Sequence, residues 1–331
     1  VWSQERFPLV AVVGPTASGK TALAVELALR FRGEIVNCDS LQLYAGLDVG
    51  TAKPGPEERR GVPHHLFSLL SPERVFSAGE YASLARPVIR EIASRQRLPV
   101  VTGGTGFYLR ALLDGLADAP GRDLPLRQRL EQAESRRSGV LARLLKRLDP
   151  AVAARIHPRD RQKLVRAVEI CLTAQKPATE VFRAGRTPFQ EAVPLVLALN
   201  PPRAELHERI AARTRAMFEK GLLEEVRDLL ARGVPTTAKS LESIGYRQAV
   251  EVLQGRMTES EALEATAIST RQYARRQITW FRRGGRVVWV PAFGGSAEAF
   301  TAASRHVEKW LTEFTNCTAL STEQSQTPRV L

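Results

Sequence analysis

One octapeptide, Gly14-Pro15-Thr16-Ala17-Ser18-Gly19-Lys20-Thr21, restricts the fold of this chain more than any other feature. It satisfies G-x-x-x-x-G-K-[ST] in full, follows the apolar run Leu9–Val13 and precedes a helical pattern over 21–32. A strand, a glycine loop and a helix in that order belong to a mostly parallel, helix-covered sheet, so an α/β core is expected. The glycines let successive backbone N–H groups turn toward phosphate oxygens, and the helix start adds its positive dipole end. Lys20 supplies a point charge, and the Thr21 hydroxyl can bind Mg2+. The motif predicts a di- or triphosphate ligand without choosing ATP.

The rest of the chain extends this core and then interrupts it. Strands are expected at 34–38, 98–101, 194–199 and 286–290, alternating with helices at 76–97, from about 107, at 204–232 and at 259–282. Between 118 and 189 the character changes to Arg-rich helical patterns at 126–135, 140–148 and 161–173, with no convincing strand. An inserted all-helical domain over 118–189 is therefore expected, flanked by a P-loop-type α/β core at 8–117 and 190–292. The polar run 315–331 reads as a disordered tail.

Charge points to the partner. Forty-eight Lys and Arg against 35 Asp and Glu give a net +13. The excess is concentrated: 121–190 carries 16 basic and 7 acidic residues, and 271–286 has six Arg and no acid. Such clustering favours a polyanion, with nucleic acid foremost. No apolar run approaches the roughly 20 residues of a membrane span. Cys38, Cys171 and Cys317 are scattered and form no CxxC pair, which speaks against a cysteine-based zinc module. A cytoplasmic protein with no membrane partner is expected.

Two polar residues fall at the carboxyl ends of expected strands, where open α/β sheets bind ligands. Asp39, in "NCDSLQLY", is placed to take a proton from a nucleophile, or simply to cap the following turn. Thr105, in "TGGTGFYLRAL", is placed to bond a leaving group or a base, or to cap the next helix. Lys53 could meet phosphate, although a solvated lysine is the commoner case. His64 and His65 would point to opposite faces of a strand, which disfavours a metal pair. Arg209 and Arg213 share one helix face. "RQYARRQITWFRRGGR" mixes Arg with Tyr273, Trp280 and Phe281, a blend suited to RNA backbone and unstacked bases, with an amphipathic core helix as the plain alternative.

Taken together, "GPTASGKT", "DSLQLY", "GTAKP", "PHH", "GGTGFYLRALLDGL", "ARIHPRDRQKLVRAVEI", "SIGYRQ" and "RRQITWFR" resemble, in content and order, the bacterial tRNA dimethylallyltransferases, also called tRNA isopentenyltransferases. The resemblance runs from about Pro8 to Pro291. It implies a P-loop NTPase-like core with a helical tRNA-binding insertion, and transfer of a dimethylallyl group from dimethylallyl diphosphate to adenosine 37 of tRNAs reading codons that begin with U. By motif match it implies Asp39 as general base with Thr105 as a second catalytic residue, Gly14 to Thr21 and Arg213 on the diphosphate, and Mg2+ at Thr21. It further implies tRNA contacts at Asp39, Ser40, Leu41, Gln42, Thr105 and Arg127. The others are Gln162, Lys163, Leu164, Val165 and Arg166; Glu242, Ser243, Ile244, Gly245, Tyr246 and Arg247; and Arg275, Arg276, Gln277, Ile278, Thr279, Trp280, Phe281 and Arg282. The implied partner is the tRNA anticodon stem-loop, and the implied state is a monomer. The residues alone leave open a P-loop kinase of a small metabolite or nucleoside, an ATP-driven nucleic-acid binder, and a prenyltransferase of free adenine nucleotides.

Overall fold

β1 (Phe7–Val13) is buried along its whole length. A strand buried on both faces reads as a continuous apolar run, and this one lies inside a parallel sheet. The computed structural model describes residues 2, 6–183, 185–284 and 287–325. β2 (Gly33–Asn37), β3 (His64–His65), β4 (Leu98–Thr102), β5 (Ala192–Leu199) and β6 (Val288–Val290) complete a six-stranded sheet in the order β3-β2-β4-β1-β5-β6. Every pairing is parallel. β4 lies between β2 and β1, with Thr102 in register with both Asn37 and Val12. The segments leaving β1, β2 and β4 therefore emerge side by side at one sheet edge, the place where such sheets bind ligands.

The chain divides into two units, Val1–Leu113 with Phe189–Leu331, and Asp114–Pro188. In the first, the sheet is joined by helices α1 (Lys20–Arg30), α2 (Pro56–Arg59), α3 (Ala78–Ser94) and α4 (Gly106–Asp114). The second holds α5 (Leu124–Arg136), α6 (Val140–Leu148), α7 (Pro150–Ala153), α8 (Arg161–Ala174) and α9 (Ala178–Arg183). The first unit resumes with α10 (Arg203–Glu219), α11 (Leu222–Ala231), α12 (Tyr246–Leu253), α13 (Glu259–Arg283) and α14 (Ala297–Ser325). The helical unit has its own core, including Leu141, Leu145, Leu164, Val165 and Val168. Asp123, Asp149 and Asp160 cap its helices by accepting from Leu126, Val152 and Lys163 N–H groups at 2.9, 3.0 and 3.2 Å.

Several expectations need correction. The single helix expected over 204–232 is two, because Gly221 breaks it with a left-handed φ of 93°. The strand expected from 286 begins at Val288, and Arg286 lies outside the described residues. The tail expected to be disordered from 315 is helical as far as Ser325, and 326–331 lie outside the described residues. The polar end continues a helix whose earlier part is anchored by Ala299, Ala303 and Val307 in the core beside α1. These residues recur every fourth position, a period the polar end does not carry.

Candidate active site

The glycine loop between β1 and α1 is backed by distant parts of the chain. Gly19 takes φ 85°, and Ala17 adopts φ 62° despite its side chain. Gly294 N–H donates to Ser18 O at 2.9 Å and seals the loop from behind. Gln277 of α13 accepts from Thr16 N–H at 2.8 Å and donates to Gly104 O at 2.8 Å, tying this loop to the turn after β4. Lys20 Nζ donates to Pro15 O at 2.7 Å. Burial, with Arg213 nearby, lowers the Lys20 ammonium to about 8 against the pull of Asp39.

Thr21 stands in the first turn of α1, half-buried. Among the described residues, no group of three or more His, Cys, Asp or Glu could hold a metal. The donor set fits Mg2+ bound jointly with a diphosphate, since that ion commonly takes few protein ligands and keeps phosphate and water oxygens.

Asp39 follows β2 and caps the turn after it. Its Oδ1 accepts from Leu41 N–H at 3.0 Å, and its own N–H donates to Asn37 Oδ1 at 2.8 Å. The charge of the same carboxylate acts on Lys20, Arg213 and Tyr273. Arg213 reaches in from α10 and donates to Thr51 O at 3.1 Å. Burial lowers its guanidinium from the ordinary value, opposed by Asp39 and Glu58. Two half-buried cations thus act on one carboxylate beside the glycine loop.

The turn after β4 explains its glycines by contact. A Cβ on Gly103 would lie 2.1 Å from Cys38 O, and one on Gly106 would lie 2.2 Å from Trp280 Cδ1. The first contact is with backbone and cannot be relieved by rotating a side chain. It brings Thr105 to the start of the Asp39 turn, where Thr105 Oγ1 accepts from Ser40 N–H at 3.1 Å. Tyr273 of α13 neighbours Thr105 and Gln277, and burial followed by the Asp39 charge raises its phenol. Phe107 and Trp280 sit edge-to-face at 6.2 Å with both rings exposed. Cys38 is buried and its thiol pushed up to about 12, which makes it inert.

Other singled-out residues are structural. Lys53 Nζ bonds Tyr44 O, Asp48 Oδ1 and Ser68 Oγ at 2.8, 2.5 and 2.8 Å. His64 Nδ1 pairs with Val62 O, and His65 Nε2 with Glu34 Oε2. Glu225 accepts from the Asp48 and Val49 N–H groups at 2.8 and 2.7 Å and from the Tyr246 hydroxyl at 2.6 Å. "GTAKP" and "SIGYRQ" therefore meet through an acid that no local pattern marks. Arg209 lies over the Phe293 ring at 3.7 Å.

The RNA candidates separate by burial. Leu164 and Val165 lie in the helical core, and Tyr246, Gln277 and Phe281 are buried in the other unit, so none of these offers a surface. Arg127 grips buried Glu169 with two bonds of 2.8 and 2.9 Å, and Arg166 joins at 2.7 Å. Burial opposes the Glu169 charge, yet bonds from both arginines and Asp123 N–H hold it below the usual carboxylate range. Both guanidinium groups thus help build the helical unit, and the Arg127 side chain keeps 23% exposure. Gln162, Lys163, Glu242, Arg247, Arg275, Arg276, Thr279, Trp280 and Arg282 are exposed. Ser40, Leu41, Gln42, Ser243, Ile244 and Ile278 are half-buried; Gly245 takes φ 90°. Sequence reasoning missed the bracing by Glu225, whose backbone partners Asp48 and Val49 lie 177 and 176 positions away.

A parallel α/β sheet with a glycine loop, a carboxylate and two cations at its carboxyl edge defines a P-loop-like fold. The profile of the family described as IPP transferase matches residues 42–284. The chain is 51% identical over 304 residues to the tRNA dimethylallyltransferase of Solibacter usitatus (strain Ellin6076), covering 92% of this chain and 99% of that protein. It is 50% identical to the enzyme of that name from Anaeromyxobacter dehalogenans (strain 2CP-C), covering 91% and 99%. The crystal structure of a tRNA isopentenylpyrophosphate transferase from Bacillus halodurans matches with TM-score 0.71 at 34% identity, over 95% of this chain and 99% of that one. A eukaryotic dimethylallyltransferase described as acting on tRNA matches with TM-score 0.79 at 26% identity, over 93% and 80%. The chain belongs to the IPP transferase family. Among the described residues, no helix is long and apolar enough to cross a membrane.

Proposed function

We propose that this chain is a tRNA dimethylallyltransferase, which moves the dimethylallyl group of dimethylallyl diphosphate onto the exocyclic amine of adenosine 37 in tRNAs reading codons that begin with U. The observation that carries this reading is the placement of Asp39 where its charge acts on both half-buried cations, Lys20 and Arg213, next to a complete glycine loop. Family membership supports the same reading.

The residues divide the work. The loop from Gly14 to Thr21, with Lys20 and Arg213, holds the diphosphate. As the allylic C–O bond breaks, negative charge builds on oxygens facing donors already fixed in place. The adenine amine is a weak nucleophile because its lone pair is delocalised into the ring. Asp39 accepts its proton as the N–C bond forms, and diphosphate leaves. Thr105, held against the Asp39 turn, orients the amine or the leaving oxygen. Mg2+ at Thr21 would share the diphosphate charge. The target base must leave its stack to reach Asp39, and the exposed Phe107–Trp280 pair suits unstacked bases nearby. Exposed residues of α8 and α13, among them Gln162, Lys163, Arg275, Arg276 and Arg282, would meet the anticodon stem-loop. We read the protein as a cytoplasmic monomer.

The test is incubation with labelled dimethylallyl diphosphate, Mg2+ and unmodified tRNA. Label on adenosine 37 is expected. Label only on free AMP would transfer the reading to a nucleotide prenyltransferase, and phosphate transfer from ATP to a metabolite would make it a kinase.

A further inference from the structure

The first unit contains a groove of about 940 Å3 that no residue of the glycine loop lines, and neither Asp39, Thr105 nor Arg213 reaches it. It lies between the start of α10 and the outer side of α13. Arg203 and His207 of α10 form one wall, and Arg271, Arg275 and Arg282 of α13 form the other. Among the described residues, no Asp or Glu lines it. The positions 271, 275, 278 and 282 fall on one stripe of α13, and 203 and 207 fall on one face of α10. At 1.5 Å per residue the α13 arginines span roughly 16 Å, more than a single diphosphate occupies. Between the charges lie apolar surfaces, chiefly Ile268 and Ile278. Burial, with Arg203 and Arg271 nearby, holds the His207 imidazole below its ordinary value. The ring therefore offers a neutral hydrogen-bonding edge at pH 7 rather than a fifth cation.

An elongated groove with guanidinium groups on both walls and an apolar strip between them matches a ribose–phosphate run. Arginine forks hold phosphate oxygens, and sugar faces rest on aliphatic side chains. A small free anion would use one end of such a groove and leave the other arginines without a function. We propose that this groove is a second phosphate-binding surface, which takes a stretch of the RNA substrate's backbone away from the reacting base. It assigns Arg203, His207 and Arg271 to RNA binding, and it rests on the reading of the substrate as tRNA.

The experiment uses the full chain and measures the affinity of unmodified tRNA between 50 and 200 mM salt. Each phosphate contact contributes about 0.7 to 0.9 to the slope of log K against log salt. Arg203→Gln with Arg271→Gln should lower that slope by between one and two and weaken binding at least tenfold at 100 mM salt. The thermal midpoint should stay within about two degrees of the parent and the KM for dimethylallyl diphosphate within about twofold. The double lysine variant should recover most of the slope, since charge rather than packing is at stake. An unchanged slope and affinity in the Gln double variant would overturn the proposal. So would a loss of inorganic diphosphate binding in that variant with tRNA affinity unaltered, because the groove would then serve a small anion. Transfer of label by the parent protein reports separately on the substrate reading, so the two failures are told apart.

Discussion

Gln277 and Thr16, 261 positions apart, are joined by a 2.8 Å bond from the Thr16 N–H to the Gln277 side-chain oxygen. The other end of the same amide holds Gly104 O, so one buried side chain sets the spacing between the glycine loop and the turn that carries Thr105. Gln277→Leu keeps the apolar part of the packing and removes both bonds. It leaves two partly buried backbone groups unpaired, at about 1–3 kcal/mol each. Denaturant unfolding should show a loss of about 2–6 kcal/mol. In the folded protein, KM for dimethylallyl diphosphate should rise because the loop is no longer braced. A parent-like KM would mean the loop keeps its shape without this link.

Asp39 has a structural duty and a proposed chemical one, and a single substitution divides them. Asn in place of Asp39 can still accept from Leu41 N–H, so the turn after β2 should persist. It cannot take up a proton. Asp39→Asn should keep the thermal midpoint within about two degrees and bind tRNA normally, while kcat falls by about 10²–10⁴. Asp39→Ala should lose both the turn and the rate. Retained activity in the Asn variant would remove Asp39 as the base.

What the sequence disclosed and concealed follows from the range of each interaction. The glycine loop was legible because its geometry is set by consecutive residues, and the edge positions of Asp39 and Thr105 follow from where β2 and β4 end. The helical patterns at 126–135, 140–148 and 161–173 were legible locally, and α5, α6 and α8 fall on them. Strand order is not written locally, and a two-residue β3 gives no periodic signal. The bracing by Gln277, Glu225 and Tyr273 depends on tertiary contacts between distant segments. Arg127 illustrates the limit. A basic helix gives no local sign that its arginine also holds a buried carboxylate, Glu169, 42 positions away.

Arg127 should accordingly behave as a stability residue. Its fork neutralises a carboxylate that has no exposure of its own, and Arg166 supplies a further bond. Removing one partner of a buried pair costs about 3–5 kcal/mol, and the remaining arginine should hold Arg127→Ala near the lower end. Hydrogen exchange should show the loss confined to α5 and α8, with dimethylallyl diphosphate binding unaffected. A double-mutant cycle with Glu169→Gln should show strong coupling. Additive effects would return Arg127 to the RNA surface.

Lys20 gives the pH dependence of donor binding. Its ammonium is lowered to about 8 by burial, with Arg213 contributing and Asp39 opposing. A bound diphosphate favours the charged form, so the folded-state value must rise when the donor binds. Below about pH 7 the lysine is charged with and without ligand, and it contributes no pH dependence to the affinity. Above about 8 it is neutral before binding, and the donor must draw a proton from solvent to restore the charge. Affinity for a non-reacting diphosphate analogue should therefore fall with rising pH above about 8, by up to tenfold per unit until the liganded value is reached. Calorimetry in buffers of different ionisation enthalpy should register close to one proton taken up per analogue bound at pH 9 and much less at pH 6.5. Lys20→Met should bind more weakly and lose this proton uptake. An affinity that stays level from pH 7 to 9.5 in the parent would mean that Lys20 remains fully charged in the site.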